Sequence, residues 1–284
     1  DVFYTDLAVR ALHLWKELGR EFREELYVNT GMLDLALNEG GYEEASYQGL
    51  KSLGLPVFKL GQADMRERYR VFNAKAVKFA VYHPDGGILW AERAVGALAS
   101  LASRRRVHVF KNTKVTSVVR NKDGVKELKD DHGRVWRASA FVFAAGPWSR
   151  DLLAAYGLPL KVTRQELLYF RPPRHQGRYR PGPCPVFACL PKGYYVLPVH
   201  IHGFMKIGLH KKGPLAKPGP GPKTLSPAFE RGCRGFLKRF VPDLAGFADT
   251  EGKVCFYNST PDGDFILDRL PDSPNAFVAT GLSG

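Results

Sequence analysis

The sequence lacks any long hydrophobic run and contains little cysteine. No apolar stretch in the 284 residues approaches the ~20 that span a bilayer, and no charged-then-apolar leader opens the chain. The four cysteines, Cys184, Cys189, Cys233 and Cys255, form no Cys-x-x-Cys pair and have no metal-ligand spacing. We therefore expect no membrane segment and no metal site, and we expect reduced thiols in an intracellular compartment.

Acidic residues are scarce in the middle of the chain. Between Lys161 and Lys223, twelve Lys or Arg residues stand against one acid, Glu166, and the net charge of the chain is +14. Such an excess fits a nucleic-acid surface, a solvated basic face, or the steering of an anionic substrate. The basic residues are scattered among Pro, Gly and apolar residues and are not clustered on a helix, which argues against nucleic acid.

The apolar residues, 44% of the chain, suffice for one large domain or two interleaved ones. Apolar periodicity predicts helices over residues 5–22, 43–53, 91–103 and 227–240. In the third of these helices the inward side chains are predicted to be Val95, Leu98, Ala99 and Ala102. Short strands are predicted over residues 79–82, 107–110, 115–120, 194–198 and 204–210.

Two apolar strands run into glycines. One ends at Gly146, before a helix that we expect Ser149 to cap, and the other ends at Gly281. Strands that end in this way bring backbone N–H groups close to a bound cofactor in α/β proteins. The same pattern also fits a buried strand followed by a tight turn.

A hairpin around residues 200–203 gathers three polar side chains. If these residues form the loop, Tyr195 falls opposite Gly208, and strand alternation places Lys206 and His210 on the face of Tyr195. A phenol, an ammonium and an imidazole then share one face over a glycine. This arrangement fits an exposed polar face, or one wall of a functional site.

Several short motifs keep the order and spacing of a known family over nearly the whole chain. They are Phe3-Tyr4, Thr30-Gly31, Gly86-Gly87-Ile88, Ala144-Ala145-Gly146-Pro147-Trp148, Tyr194-Tyr195, Lys206-Ile207-Gly208-Leu209-His210, and the run from Cys255 to Gly284. Together they resemble the monomeric sarcosine oxidase and pipecolate oxidase family, which are FAD-dependent amine oxidases of the D-amino-acid-oxidase-like superfamily. The Cys-x-Tyr-x-x-Thr-Pro-Asp run that starts at Cys255 is the most specific of the motifs.

The resemblance implies an α/β (α+β) fold with two interleaved domains. A Rossmann-like FAD-binding domain is expected from residues 1–27, 83–161 and 255–284, and an antiparallel-sheet substrate domain from residues 28–82 and 162–254. The family's Gly-x-Gly-x-x-Gly motif, its arginines before the first helix and a lysine expected after Gly284 are absent from the sequence. We therefore expect both domains to be incomplete at the chain ends, as in a fragment.

The resemblance also implies the cofactor and its contacts. Cys255 matches the cysteine that joins FAD covalently through its sulfur, and Val115 matches a position near the adenine end. The further cofactor-binding residues implied are Gly146, Trp148, Gly281, Ser283 and Gly284.

For the reaction, Lys206 matches a lysine that stabilises the negative charge developing as oxygen is reduced. Tyr195 and His210 match residues that line the substrate pocket. The implied activity is oxidation of a secondary amine, in an N-methyl or cyclic amino acid of the sarcosine or pipecolate type, to an imine with release of hydrogen peroxide. The expected partners are a small amino-acid substrate and oxygen, for a monomer in the cytoplasm or in peroxisomes.

Three alternatives stay open. The chain could be an FAD-dependent dehydrogenase of the same fold, a truncated non-catalytic fragment, or a basic binding module. The substrate is also open among sarcosine, pipecolate, another N-alkyl amino acid and a glycated amino acid.

Overall fold

The computed structural model describes residues 2–173, 176–199, 203–219 and 224–282. The α-helices of this part are α1 (Val2–Phe22), α2 (Gly41–Ser52), α3 (Gln62–Arg68), α4 (Ala91–Arg104), α5 (Ser149–Leu152) and α6 (Pro227–Phe240). The strands are β1 (Tyr27–Asn29), β2 (Met32–Ala36), β3 (Phe58–Leu60), β4 (Phe79–His83), β5 (Gly87–Leu89), β6 (Val115–Asn121), β7 (Gly124–Asp130), β8 (Val135–Trp136), β9 (Phe141–Phe143), β10 (Lys161–Arg171), β11 (Val186–Cys189), β12 (Tyr194–Leu197), β13 (Met205–Leu209), β14 (Ala248–Ser259), β15 (Ile266–Arg269) and β16 (Ala276–Thr280). Among the described residues, no helix combines the length and the apolarity that crossing a membrane requires.

The chain passes repeatedly between two compact units. The large-sheet unit contains Asp1–His108, Glu166–Lys211 and Thr224–Lys253, and the small-sheet unit contains Val109–Gln165, Lys212–Lys223 and Val254–Gly284. The predicted α/β (α+β) fold, built from interleaved segments, is confirmed. The finer assignment of residues 1–27, 83–161 and 255–284 to a cofactor domain stays a prediction.

An eight-stranded sheet dominates the large-sheet unit, with the order β14-β10-β13-β12-β11-β2-β4-β3. Strands β11 and β2 pair in parallel, whereas the pairs of β13 with β10 and β12, and of β4 with β2 and β3, are antiparallel. The separate pair β1–β5 brings the Thr30-Gly31 and Gly86-Gly87 motifs together, because Thr30 N–H donates to Gly86 O at 3.3 Å.

Helix α6 covers one face of this sheet. Its start follows from its sequence, because the Ser226 hydroxyl accepts a hydrogen bond from Phe229 N–H and Pro227 occupies the first turn, where no N–H partner is needed. Its apolar stripe packs against the sheet residues Phe187, Val196 and Ile207, and it consists of Phe229, Cys233, Phe236, Leu237 and Phe240. This contact forms the main core of the unit.

The small-sheet unit holds two three-stranded sheets, β15-β16-β9 and β6-β7-β8. Strands β9 and β16 are parallel neighbours, so their carboxyl ends meet at one edge of the sheet. At the other end of β16, the Asn275 side chain bridges to β7: Nδ2 donates to Val125 O at 2.8 Å, and Oδ1 accepts from Val125 N–H at 3.0 Å. The two sheets are thereby tied together.

Two sequence predictions about secondary structure are wrong. Residues 107–110 form no strand; Val107, Val109 and Phe110 are each more than half exposed. Ser149 does not cap the helix after Gly146, because it lies inside α5 and its hydroxyl is buried without a hydrogen-bond partner among the described residues. Apolar composition does not by itself make a strand, and a favourable cap residue does not by itself mark the first residue of a helix.

The predicted inward face of α4 is also wrong. Val95 is 66% exposed and Leu98 is 45% exposed, whereas the buried residues are Ala94 and Ala97. A helix can pack through a stripe of small side chains, and large apolar residues then stay at the surface. The helix itself is confirmed, over Ala91–Arg104.

Candidate functional site

The β12–β13 hairpin has the register that was predicted from alternation. Tyr195 lies opposite Gly208, and Leu197 lies opposite Lys206. The neighbouring Tyr194 points to the opposite face, where its ring stacks on Phe236 of α6 at a centroid distance of 5.0 Å. Tyr194 therefore lies in the core under α6, and Tyr195 lies on the second face of the sheet.

Tyr195 and Lys206 meet on that second face. The Lys206 Nζ lies 5.5 Å from the centroid of the Tyr195 ring, within the range of a cation–π interaction. The ring lies directly on Gly208, because a Cβ at this glycine would come within 2.6 Å of the ring carbon Cζ. His210 follows β13 with its side chain exposed, and its N–H donates to Gly193 O at 2.7 Å.

We expect Gly208→Ala to impair catalysis through Tyr195. The added methyl must displace the ring that now occupies its position, and the phenol then loses its place beside Lys206. The resemblance implies that Tyr195 lines the substrate pocket; if its phenol hydrogen-bonds the substrate there, the loss of that bond predicts a KM that is higher by about tenfold, with a smaller change in thermal stability. Steady-state kinetics of Gly208→Ala measure this.

Gly96→Ala is the matched control, because a Cβ at this helical glycine of the same unit meets no atom within 4 Å. An unchanged KM in Gly208→Ala would show that the position of Tyr195 does not matter for the substrate.

The face of Tyr195 continues across the sheet to a carboxyl group that the sequence analysis missed. Ala188 pairs with Tyr195 on one side and with Asp34 of β2 on the other, so the three side chains form one row. Asp34 is 6% exposed, and burial, reinforced by Glu43 of α2, raises its pKa to about 7. Glu43 is itself buried, and its Oε1 has no hydrogen-bond partner within the described ranges. Only the tertiary packing of α2 on β2 reveals this carboxyl pair.

In the small-sheet unit, two of the predicted cofactor residues line one cleft. Val115 and Trp148 face a cleft of about 1090 Å³ that also exposes the backbone after β9. Its wall is mostly apolar, with the side chains of Lys114, Thr116 and Asp151 as polar groups. A large apolar cleft with a few polar side chains is typical of a cofactor site.

Gly146 and Gly281 lie at the edge where β9 and β16 end. Both adopt positive φ, +52° and +75°, which allows the backbone to turn sharply after each strand. Asn258 of β14 connects the two ends: its Nδ2 donates to Gly146 O at 2.8 Å and to Thr280 Oγ1 at 2.7 Å. The ends of the two glycine-ended strands therefore lie close together, and their approach to a cofactor stays a prediction.

Cys255 differs from the other cysteines in exposure. Cys184, Cys189 and Cys233 are buried, and burial raises the pKa of each thiol, to about 12 for Cys184 and Cys233. Cys255 is partly exposed on β14 and lies in the same unit as the cleft. A partly exposed thiol is the one of the four that can react with a bound molecule.

The remaining predictions are placed as follows. Ser283 and Gly284 lie outside the described residues, so their predicted role stays a prediction. Within the described ranges, no group of three or more His, Cys, Asp or Glu side chains could hold a metal ion. The predicted catalytic residues lie in the large-sheet unit, and Val115, Gly146, Trp148, Cys255 and Gly281 lie in the small-sheet unit.

Comparison with known proteins gives a consistent result. Residues 2–284 match the model of a family described as "DAO: FAD dependent oxidoreductase". N-methyl-L-tryptophan oxidase from Yersinia pestis is 29% identical over 289 residues, a match that covers 99% of this chain and 75% of the relative.

Solved structures share the fold. Glycine oxidase from Geobacillus kaustophilus is 25% identical with a TM-score of 0.77, covering 98% of this chain and 72% of that one. L-proline dehydrogenase from P. horikoshii is 20% identical with a TM-score of 0.82, covering 97% of this chain and 72% of that one.

Proposed function

Because the chain belongs to the DAO family of FAD-dependent oxidoreductases, we propose that it oxidises the amine of a small amino acid to an imine and passes the electrons to oxygen, giving hydrogen peroxide. The substrate class is a secondary amine, as in N-methyl or cyclic amino acids of the sarcosine or pipecolate type. The observation that carries the proposal is the face on which the Lys206 ammonium lies against the Tyr195 ring over Gly208.

The side chains of this face have complementary tasks. The Tyr195 hydroxyl can hydrogen-bond the substrate carboxylate or amine, and its ring can pack against the substrate's carbon chain. Lys206 supplies a fixed positive charge, which stabilises the negative charge that develops on oxygen as it is reduced. His210 follows on the same strand and supplies an imidazole at the rim of the face.

The residues of the small-sheet unit fit FAD. The cleft that Val115 and Trp148 line is large and mostly apolar, and apart from its own chain neighbours no described residue lies within 4 Å of the position that a Cβ of Gly146 would take. A planar group can therefore approach the backbone at Gly146. We assign Val115, Gly146, Trp148, Gly281, Ser283 and Gly284 as the residues that hold FAD. When bound, FAD supplies the two-electron redox chemistry that no side chain can perform.

Cys255 is proposed as the point of covalent attachment, through its sulfur. Its partial exposure supports this assignment, since the other three thiols are buried. The relative N-methyl-L-tryptophan oxidase acts, by its name, on a secondary amine, and glycine oxidase acts on an amino acid. Both names favour an amino-acid substrate for this chain.

The test is a visible spectrum of the purified protein after acid denaturation and filtration. We expect flavin absorbance to stay with the protein, and we expect Cys255→Ala to release it into the filtrate. Cys233→Ala is the control, because it removes a buried thiol and should leave the flavin attached.

Other outcomes separate the covalent link from FAD binding. Colour in the filtrate of the unaltered protein would contradict the covalent link and leave FAD binding intact, and a colourless protein would contradict FAD binding itself. Oxygen consumption and peroxide release with sarcosine, pipecolate, N-methyl-tryptophan and glycine then identify the substrate class.

A further inference from the structure

Three segments that are distant in the sequence provide the proposed flavin contacts. Gly146 follows β9, Cys255 lies on β14, and Gly281 follows β16. The parallel pairing of β9 with β16 sets the first and third segments side by side. It does not by itself fix β14, which carries the cysteine.

Asn258 makes that connection with both of its side-chain N–H groups. It lies three residues after Cys255 on β14, and one amide nitrogen donates to Gly146 O at 2.8 Å and to Thr280 Oγ1 at 2.7 Å. Since the Gly146 carbonyl can only accept a hydrogen bond, the amide orientation is fixed. Asn258 is 4% exposed and Thr280 is 1% exposed, so the bond between these two side chains is shielded from water, whereas the bond to Gly146 is partly buried.

We propose that Asn258 is a positioning residue for FAD. It holds the strand of Cys255 at a fixed distance from the backbone turns at Gly146 and Gly281. The inference rests on the proposed function, because it concerns the geometry in which FAD is bound. The segments that meet here also carry buried polar atoms without a hydrogen-bond partner in the part of the chain that is described: Asn258 Oδ1, its neighbour Ser259 Oγ, and Ser149 Oγ after Gly146. Such groups are costly in a site that serves packing alone, and they are typical of functional sites.

The test measures FAD binding apart from turnover. Asn258→Ala is made in the Cys255→Ala background, so that binding stays reversible, and flavin-free protein is titrated with FAD by fluorescence. We expect the dissociation constant to rise by about tenfold or more, because the two hydrogen bonds that join β14 to Gly146 and Thr280 are lost. With Cys255 retained, covalent incorporation of added FAD is expected to slow by about the same factor.

Asn275→Ala provides a matched control. This asparagine also makes two side-chain hydrogen bonds in the same unit, both to the backbone of Val125, but it lies at the opposite end of β16 from Gly281. Loss of general stability lowers FAD binding equally in both variants, whereas a positioning role affects Asn258→Ala alone. Thr280→Val removes one acceptor of the same amide at nearly constant shape, and it serves if Asn258→Ala does not fold.

The outcomes are distinct. Equal FAD dissociation constants and incorporation rates in Asn258→Ala, Asn275→Ala and the parent would overturn the inference and leave the proposed function standing. Failure of the parent protein to bind FAD would overturn the proposed function, and the inference with it. A selective loss in Asn258→Ala and Thr280→Val supports both.

Discussion

Replacing Lys206 by methionine is expected to slow the reaction with oxygen by about a hundredfold to a thousandfold, which is the usual cost of removing one preorganised electrostatic group. Lys206 is held between Tyr169 of β10 and Leu197 of β12, and its ammonium lies over the Tyr195 ring. Its charge is therefore fixed in place. Methionine keeps much of the length and apolar packing of the lysine stem and removes the charge.

The measurement compares two electron acceptors. Turnover of the amine is followed with oxygen and with an artificial dye, in the parent protein, in Lys206→Met and in the control Lys192→Met. Lys192 is an exposed lysine in the turn between β11 and β12. We expect Lys206→Met to lose the rate with oxygen and to keep most of the rate with the dye.

Two results would contradict this account. An unchanged rate with oxygen in Lys206→Met would remove Lys206 from the oxygen site. Dye-dependent turnover without oxygen consumption in the parent would show that the chain is a dehydrogenase.

The buried carboxyl of Asp34 is expected to make the protein less stable as the pH rises. Burial, with Glu43 beside it, raises the pKa of Asp34 from its ordinary value of 3.8 to about 7. Between these two values the folded state keeps the proton and the unfolded state loses it. The free energy of unfolding therefore falls by about 1.4 kcal/mol per pH unit, or about 4 kcal/mol in total, and the loss is complete above pH 7.

Asp34→Asn should remove this dependence, because the amide stays neutral at every pH. We expect the variant to be more stable than the parent at pH 8, with a difference that shrinks towards pH 4. Urea unfolding at several pH values between 4 and 9 measures the free energy of unfolding. The groups that face Asp34 are Glu43 and Tyr42, and the phenol pKa of Tyr42 is raised by burial and by both carboxylates.

Glu44→Gln is the control for this series. Glu44 is partly exposed and accepts a hydrogen bond from Lys59, which lowers its pKa, opposite to the raised pKa of Asp34. The variant should therefore keep the slope of the parent. A pH-independent parent, or a slope that persists in Asp34→Asn, would show that Asp34 does not hold the proton.

Local patterns predicted the hairpin of the candidate site well. A single loop assignment at residues 200–203 fixed the pairing of Tyr195 with Gly208, because strand alternation leaves one choice once the loop length is set. Helix α6 was predicted with its bounds unchanged, since Ser226 and Pro227 mark its start and Pro242 follows its end. These features depend on residues that are close in the sequence.

Features that depend on distant residues were missed. No strand was predicted over Val186–Cys189, which is β11 in the middle of the large sheet; it pairs with the nearby β12 and with β2, which lies far earlier in the chain, and its place between them depends on that distant partner. Asp34 was missed for the same reason: a single acid in an apolar strand looks exposed until α2 covers it. The hydrogen bond from the Asn258 side chain to Gly146 joins segments more than one hundred residues apart. No local sequence pattern predicts this bond.

The parallel seam between β2 and β11 has a consequence for the order of folding. It joins the neighbouring strands β2, β4 and β3 to the neighbouring strands β10, β13, β12 and β11, and it begins where Val186 N–H donates to Gly31 O at 3.1 Å. The same N–H lies 3.3 Å from Thr30 Oγ1, 156 residues earlier. During synthesis on the ribosome, the β2 edge of the first group therefore stays unpaired until residue 189 has emerged, and closing so long a loop is slow. We expect a chaperone, or a second nascent chain, to bind most readily at this unpaired edge of β2.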